Sequence, residues 1–236
     1  MKIELDVHTH TVASGHAYST LQEMAKAAAE KGLKLLGITD HAPGLPGACQ
    51  EIYFRNLHVV PRQMYGIELM LGAEVNILDT SGAIDMTDDM MARHLDLRIA
   101  GIHSLCYKPG TREQNTEGLI NVMRNPLINI ISHPGDGTAE LDFEPIVIAA
   151  KETNTLLEIN NSSLKPIRHK ETARDNNLEI LRLSKKYDCP VILGSDAHIS
   201  FAIADYQYLY PLLQKAEFPD SLIVNRNVKV FRSYLR

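Results

Sequence analysis

Short apolar runs alternate along the chain with longer stretches in which apolar positions recur every three or four residues. The runs fall at 2–7, 33–39, 67–75, 95–102, 127–132, 155–160 and 190–195. Each has the length of a strand and is rich in Ile, Leu and Val. Several are almost continuously apolar. That pattern suits parallel strands buried on both faces rather than antiparallel strands with one wet face. Between the runs, helical periodicity predicts helices over 19–32, 114–124, 144–153 and 174–187, with another over 203–216 after the last strand. Ser19 and Gln22 have capping-box spacing at the start of the first helix, and Gly32 marks its end. Strands and helices in strict alternation imply an α/β fold with a parallel sheet, open or closed into a barrel. A single domain over 1–236 is long enough for a compact barrel.

Composition narrows the class. With 236 residues, 44% of them hydrophobic, the chain can bury a large core without disulfide or metal staples. A net charge of −5 and the lack of any Lys/Arg block argue against a protein built to grip a nucleic-acid backbone. Three widely spaced cysteines give no disulfide framework, so a reducing, cytoplasmic setting is expected. No apolar stretch approaches the ~20 residues that cross a bilayer, so no membrane partner is expected. The N-terminal MKIELDVHTH carries acids and histidines where a signal peptide needs an apolar core.

The ten histidines are what change the picture. The first run leads into His8, His10 and His16, and the second into Asp40-His41. The third carries Glu74, the fourth ends at His103, the fifth at His133-Pro134-Gly135, and the seventh at Asp196 and His198. In parallel α/β folds, the C-terminal ends of the strands converge on one edge where ligands and metals bind. Side chains two apart on a strand share a face, so His8 with His10, and Asp196 with His198, can each grip one ion. Imidazoles with a few carboxylates and no thiolate set suit Zn, Mn or Fe rather than Ca or Mg. Asp40 aside, these nine groups exceed what one tetrahedral ion needs and fit two or three ions, with Glu74 able to bridge. His58, His94 and Cys106 lack this placement or have an ordinary packing explanation.

The segments DVHTHTVASGHAYS, TDH, GAEVN, GIHS, ISHPG and GSDAH resemble, in order and over almost the whole chain, the successive motifs of the PHP (polymerase and histidinol phosphatase) superfamily. His16 and the stretch EINNSS are similar to its stand-alone YcdX-like phosphatases. The resemblance implies a distorted (βα)7 TIM-like barrel with three divalent metal ions, usually Zn2+, at the C-terminal ends of the strands. It implies that His8, His10, Glu74 and Asp196 hold the first metal, His16, His41 and His198 the second, and Glu74, His103 and His133 the third. The implied activity is a metal-dependent phosphoric ester hydrolase acting on phosphate monoesters of small molecules, with a metal-bridging hydroxide attacking phosphorus in line. Asp40 is then expected as an acceptor behind the ligands or a proton relay. Arg168 is the best candidate for a bidentate phosphate contact, with Lys165, His169 and Lys108 behind it. His169, or a water on the third metal, is expected to protonate the leaving group. Two other readings stay open: an amidohydrolase-type hydrolase on a related barrel, and a nucleic-acid-processing PHP nuclease. The absence of a basic stripe and of a polymerase domain before Arg236 weighs against the latter. Neither the substrate nor homo-oligomerisation is fixed by these residues.

Overall fold

The computed structural model describes residues 2–235. Its strands are β1 (Leu5–Asp6), β2 (Leu35–His41), β3 (Gln63–Met64), β4 (Ile67–Ile77), β5 (Leu97–Ile102), β6 (Ile130–Ile131), β7 (Leu156–Asn160) and β8 (Val191–Gly194). The helices are α1 (Leu21–Glu30), α2 (Glu51–Arg55), α3 (Asp88–His94), α4 (Arg112–Arg124), α5 (Phe143–Glu152), α6 (Ala173–Tyr187), α7 (Tyr210–Lys215) and α8 (Val228–Arg232). The strand order is β1-β2-β4-β5-β6-β7-β8, and every neighbouring pair is parallel. Each of the seven predicted runs supplies one of these strands. The eighth strand, β3, pairs antiparallel with β4 through a tight turn at Tyr65–Gly66, where both residues have positive φ. Two residues are too short to register as an apolar run.

The sheet curls into a nearly closed barrel. At the upper end of the β8–β1 seam, Thr9 bridges Ala197 in parallel, and the His10 amide donates to the Ala197 carbonyl at 2.9 Å. Lower down, a side chain does the work of a strand. The Asn225 amide donates to the carbonyls of Leu193 (2.8 Å) and Leu5 (3.2 Å), and its oxygen accepts from the Leu193 amide (2.7 Å). Inside, Leu5, Val7, Leu35, Leu97, Ile99, Ile130, Leu156 and Ile192 fill the lower barrel, with Val224 and Phe231 packed against them. The alternate residues of the same strands face outward and pack under the helices. Burial on both faces explains the unbroken apolar runs.

Helix boundaries depart from the sequence pattern in two places. The capping box of α1 is formed by Thr20 and Glu23, one residue beyond Ser19 and Gln22: Glu23 Oε2 accepts from the Thr20 amide at 2.7 Å. Ser19 is buried instead and accepts from the Ser200 amide at 3.0 Å. The helix expected over 203–216 shortens to α7, because Ala204 adopts positive φ and the chain turns before Pro211. Among the described residues, no helix is long and apolar enough to cross a membrane.

Candidate metal centre

On the inner face of the barrel, apolar residues below give way to polar ones above. Met70 is succeeded on the same face of β4 by Glu74 and Asn76, and Leu156 of β7 by Glu158 and Asn160. Glycines make room for these longer side chains. A Cβ on Gly101 would lie 2.3 Å from Ser132 Oγ and 3.0 Å from Glu74 Oε1.

All nine histidines and acids expected as ligands meet at this end. Four triplets of donor atoms each lie within 4.8 Å of one another: His8–His10–Asp196, His10–His41–His198, His41–Glu74–His103 and His8–Glu74–His133. His16 joins through His198, with the two Nε2 atoms 3.0 Å apart. Glu74 is fully buried at the centre. Its Oε1 lies 2.9 Å from His133 Nε2 and 3.4 Å from His103 Nε2, and its Oε2 lies 3.0 Å from His41 Nδ1 and 3.4 Å from His8 Nε2.

The outer hydrogen bonds of the imidazoles fix which nitrogen carries the proton. His8 Nδ1 faces Glu158 Oε1 (2.7 Å), His16 Nδ1 the Ser14 carbonyl (3.0 Å), His103 Nδ1 the Asn76 Oδ1 (2.8 Å) and His198 Nδ1 the Asp196 carbonyl (3.1 Å). Ser14 donates its own proton to Asp40 (2.7 Å), so Ser14 Oγ accepts from His10 Nδ1 (3.1 Å). Each of these rings therefore donates through Nδ1, and in its neutral form it turns a lone pair on Nε2 inward. The consequence is two close pairs of inward nitrogens: His8 Nε2 against His10 Nε2 at 3.1 Å, and His16 against His198 at 3.0 Å. In addition, His41 Nδ1, His133 Nδ1 and Glu74 Oε2 are buried without a hydrogen-bond partner. Cations placed among these groups would satisfy them together, and nitrogen with carboxylate oxygen is the donor set of divalent transition metals.

The electrostatics agree. Burial pushes the Glu74 carboxyl up, but His8, His103 and His41 outweigh it and hold the group well below the usual carboxylate range. Asp196 is held down likewise, by His8 and His198 against burial. Burial and the neighbouring His41 and His198 keep His10 well below the ordinary imidazole value. For His8 the order reverses: burial opposes charge, but Glu158, Glu74 and Asp196 raise it well above 6.5. His133 and His198 are raised in the same way, against burial, chiefly by Glu74 and by Asp196 respectively.

A cavity of about 380 Å3 opens above the cluster. Leu45, Pro46, Ile102 and Leu105 form an apolar wall, and Ser162, Arg168, Lys170 and Asp136 a polar one. Arg168 donates from Nη2 to Ser162 Oγ at 3.0 Å, which holds the guanidinium at the rim. His169 does not take its expected place. It has left-handed backbone, is exposed, and is not among the cavity-lining residues; nor are Lys165 and Lys108. Asp40 is fully buried and accepts from the Thr11 amide, the Thr11 and Ser14 hydroxyls and the Tyr53 hydroxyl. Those four donors make it an acceptor behind His10, linked to that ring through the Ser14 hydroxyl.

Two residues escaped the sequence reading. Lys170 lines the cavity and is ion-paired with the buried Asp136. In the sequence it is one more lysine in a polar loop. Glu158 had a usable signal, an acid on the same strand face as Leu156 inside an otherwise apolar run.

The PHP domain family model matches residues 6–208. The chain is 46% identical over 236 residues to a probable phosphatase of Clostridium novyi, covering all of this chain and 96% of that protein. It is 42% identical, with the same coverage, to a probable phosphatase of Acetivibrio thermocellus. Among solved structures, it is similar to a histidinol phosphate phosphatase from Lactococcus lactis complexed with zinc, L-histidinol and phosphate, with a TM-score of 0.57. That likeness has 17% sequence identity and covers 92% of this chain and 94% of the other, and it carries the fold.

Proposed function

The chain belongs to the PHP domain family, and from that premise we propose that it is a single-domain, cytoplasmic, metal-dependent phosphatase that hydrolyses phosphate monoesters of small molecules at a trinuclear site. The observation that carries the reading is the convergence of four donor triplets on one buried carboxylate, with the His8–His10 and His16–His198 nitrogens only 3.1 and 3.0 Å apart. We assign His8, His10, Glu74 and Asp196 to the first ion, His16, His41 and His198 to the second, and Glu74, His103 and His133 to the third. Zinc is the favoured ion, as in the zinc-complexed Lactococcus lactis phosphatase, with Mn2+ or Fe2+ able to use the same donors. When bound, such ions lower the pKa of water to about 7 and offset the charge on phosphoryl oxygens.

The protein's own groups do the rest. Asp40, through Ser14, fixes the ring of His10 so that Nε2 faces the centre. Arg168 offers a planar fork to two phosphoryl oxygens, and Lys170 adds a second positive charge on the same wall. The apolar wall of Leu45, Pro46, Ile102 and Leu105 receives the non-phosphate part of the substrate. A cavity of about 380 Å3 accepts a small molecule.

The primary test is turnover of p-nitrophenyl phosphate with and without chelator, alongside elemental analysis. Full turnover by metal-free protein would end this reading. Cleavage of single-stranded DNA in place of small esters would move the assignment to the nuclease branch. Arg168→Ala is expected to raise KM about tenfold or more, the scale of one charge-assisted hydrogen bond, while metal content stays at the wild-type level. A variant with unchanged KM removes Arg168 from phosphate binding.

The cluster also predicts proton release on metal uptake. His8, His133 and His198 have pKa values raised above the ordinary one, so in stripped protein they hold protons to higher pH than a free imidazole. A cation must displace those protons, and its affinity therefore falls as pH falls through the raised values. Zinc titration calorimetry near pH 7, in buffers of different ionisation enthalpy, reads the released protons. A heat that does not depend on the buffer contradicts the ligand assignment.

A further inference from the structure

Glu158 is an acid at the inner face of β7 with 1% exposure, and both its oxygens are used. Oε1 accepts from His8 Nδ1 at 2.7 Å. Oε2 accepts from the backbone amide of His133 at 2.7 Å and from Asn160 Nδ2 at 3.1 Å. One carboxylate thus reaches two residues of the cluster from two different strands. It sets which nitrogen of His8 turns inward. It also holds the backbone of His133, a non-glycine residue at φ 33°, a conformation that surrounding contacts must maintain.

Gly194 of β8 lies directly against this carboxylate. A Cβ built there would sit 1.6 Å from Glu158 Oε1 and 2.5 Å from its carboxyl carbon. The backbone at Gly194 is not in the left-handed region, so alanine is acceptable there on backbone grounds. The space that glycine leaves is the space the carboxylate fills.

We propose that Glu158 is the positioning residue that aligns His8 and His133 together for metal binding, and that Gly194 is glycine in order to seat it. The proposal rests on the metal-centre reading above. Residues that orient metal-bound histidines typically change metal affinity about 10–100-fold when replaced. Glutamine keeps the shape and can still accept from His8, but its amide nitrogen then faces two donors, the His133 amide and Asn160 Nδ2.

The test is competitive zinc titration of the stripped full-length protein against a chromogenic chelator. Glu158→Ala and Gly194→Ala are each expected to weaken zinc binding about 10–100-fold, and Glu158→Gln by less than Glu158→Ala. In the Glu158→Ala background, adding Gly194→Ala is expected to change little, because the carboxylate it would displace is gone. Zinc affinity unchanged in Glu158→Gln and Gly194→Ala overturns the proposal, as does a Gly194→Ala effect of equal size in both backgrounds. A purely structural role would lower the melting temperature of stripped protein while leaving zinc affinity intact, and that result also overturns it. Wild-type protein that takes up no zinc removes the metal centre itself, whereas wild-type binding with unaltered variants removes only the role of Glu158.

Discussion

Glu74→Ala is expected to lower phosphatase turnover at least about a thousandfold, the loss that follows when some 4 kcal/mol of transition-state stabilisation disappears. Glu74 belongs to two of the four donor triplets, and its two oxygens face His133 and His103 on one side and His41 and His8 on the other. Removing it takes a donor from two of the three proposed ions at once and leaves four imidazoles without the anion between them. Elemental analysis of the variant should find fewer metals per chain than in wild type, and added zinc should not restore turnover. Glu74→Gln keeps the volume and separates charge from packing: it should lose activity on the same scale. A Glu74→Gln enzyme with wild-type kcat and metal content would show that the carboxylate is not a ligand.

What the sequence made legible follows from where each feature's partners lie. The strands were visible because burial on both faces leaves an unbroken apolar run, which local pattern reports directly. Even β6, only Ile130–Ile131 in the sheet, was marked by the longer run around it. The proposed ligands were visible because each lies near the end of such a run or after it, and parallel strands carry every run's end to one edge. Features made by distant partners were not visible. Glu158 meets His8 across 150 residues of sequence, and nothing around Glu158 names that histidine. Lys170 meets Asp136 across 34 residues, so in the sequence it was a solvated lysine. Short elements failed for another reason: α2 and α8 have five residues each, little more than one turn, and periodicity needs several turns to register. Thr20 displaced Ser19 as the cap because Ser19 is engaged by Ser200, again a distant partner. His169 was singled out by its chemistry, but it is exposed and is not among the residues that line the cavity.

Stripping the ions should destabilise the protein as well as silence it. Without cations, several imidazoles stay crowded in one buried pocket, with the His8–His10 and His16–His198 nitrogens 3.1 and 3.0 Å apart and His133 Nδ1 without a hydrogen bond. Those costs are present in the folded state and vanish on unfolding, so they act directly against the fold. Cations reverse the balance by binding the folded chain alone. At a thousandfold excess over Kd, one site contributes about 4 kcal/mol. For a domain of this size, each kcal/mol moves Tm by roughly 2–4 °C, so chelation should lower Tm on the order of 10 °C. The shift should grow with zinc concentration and reverse on adding zinc back, and turnover should return with it. The ligand variants His8→Ala and Asp196→Ala should show a smaller shift than wild type, since each has already lost part of the site. Equal melting curves with and without chelator, together with undiminished turnover, would mean that the imidazoles tolerate one another without an ion. No hydrolytic metal centre would then remain to be defended.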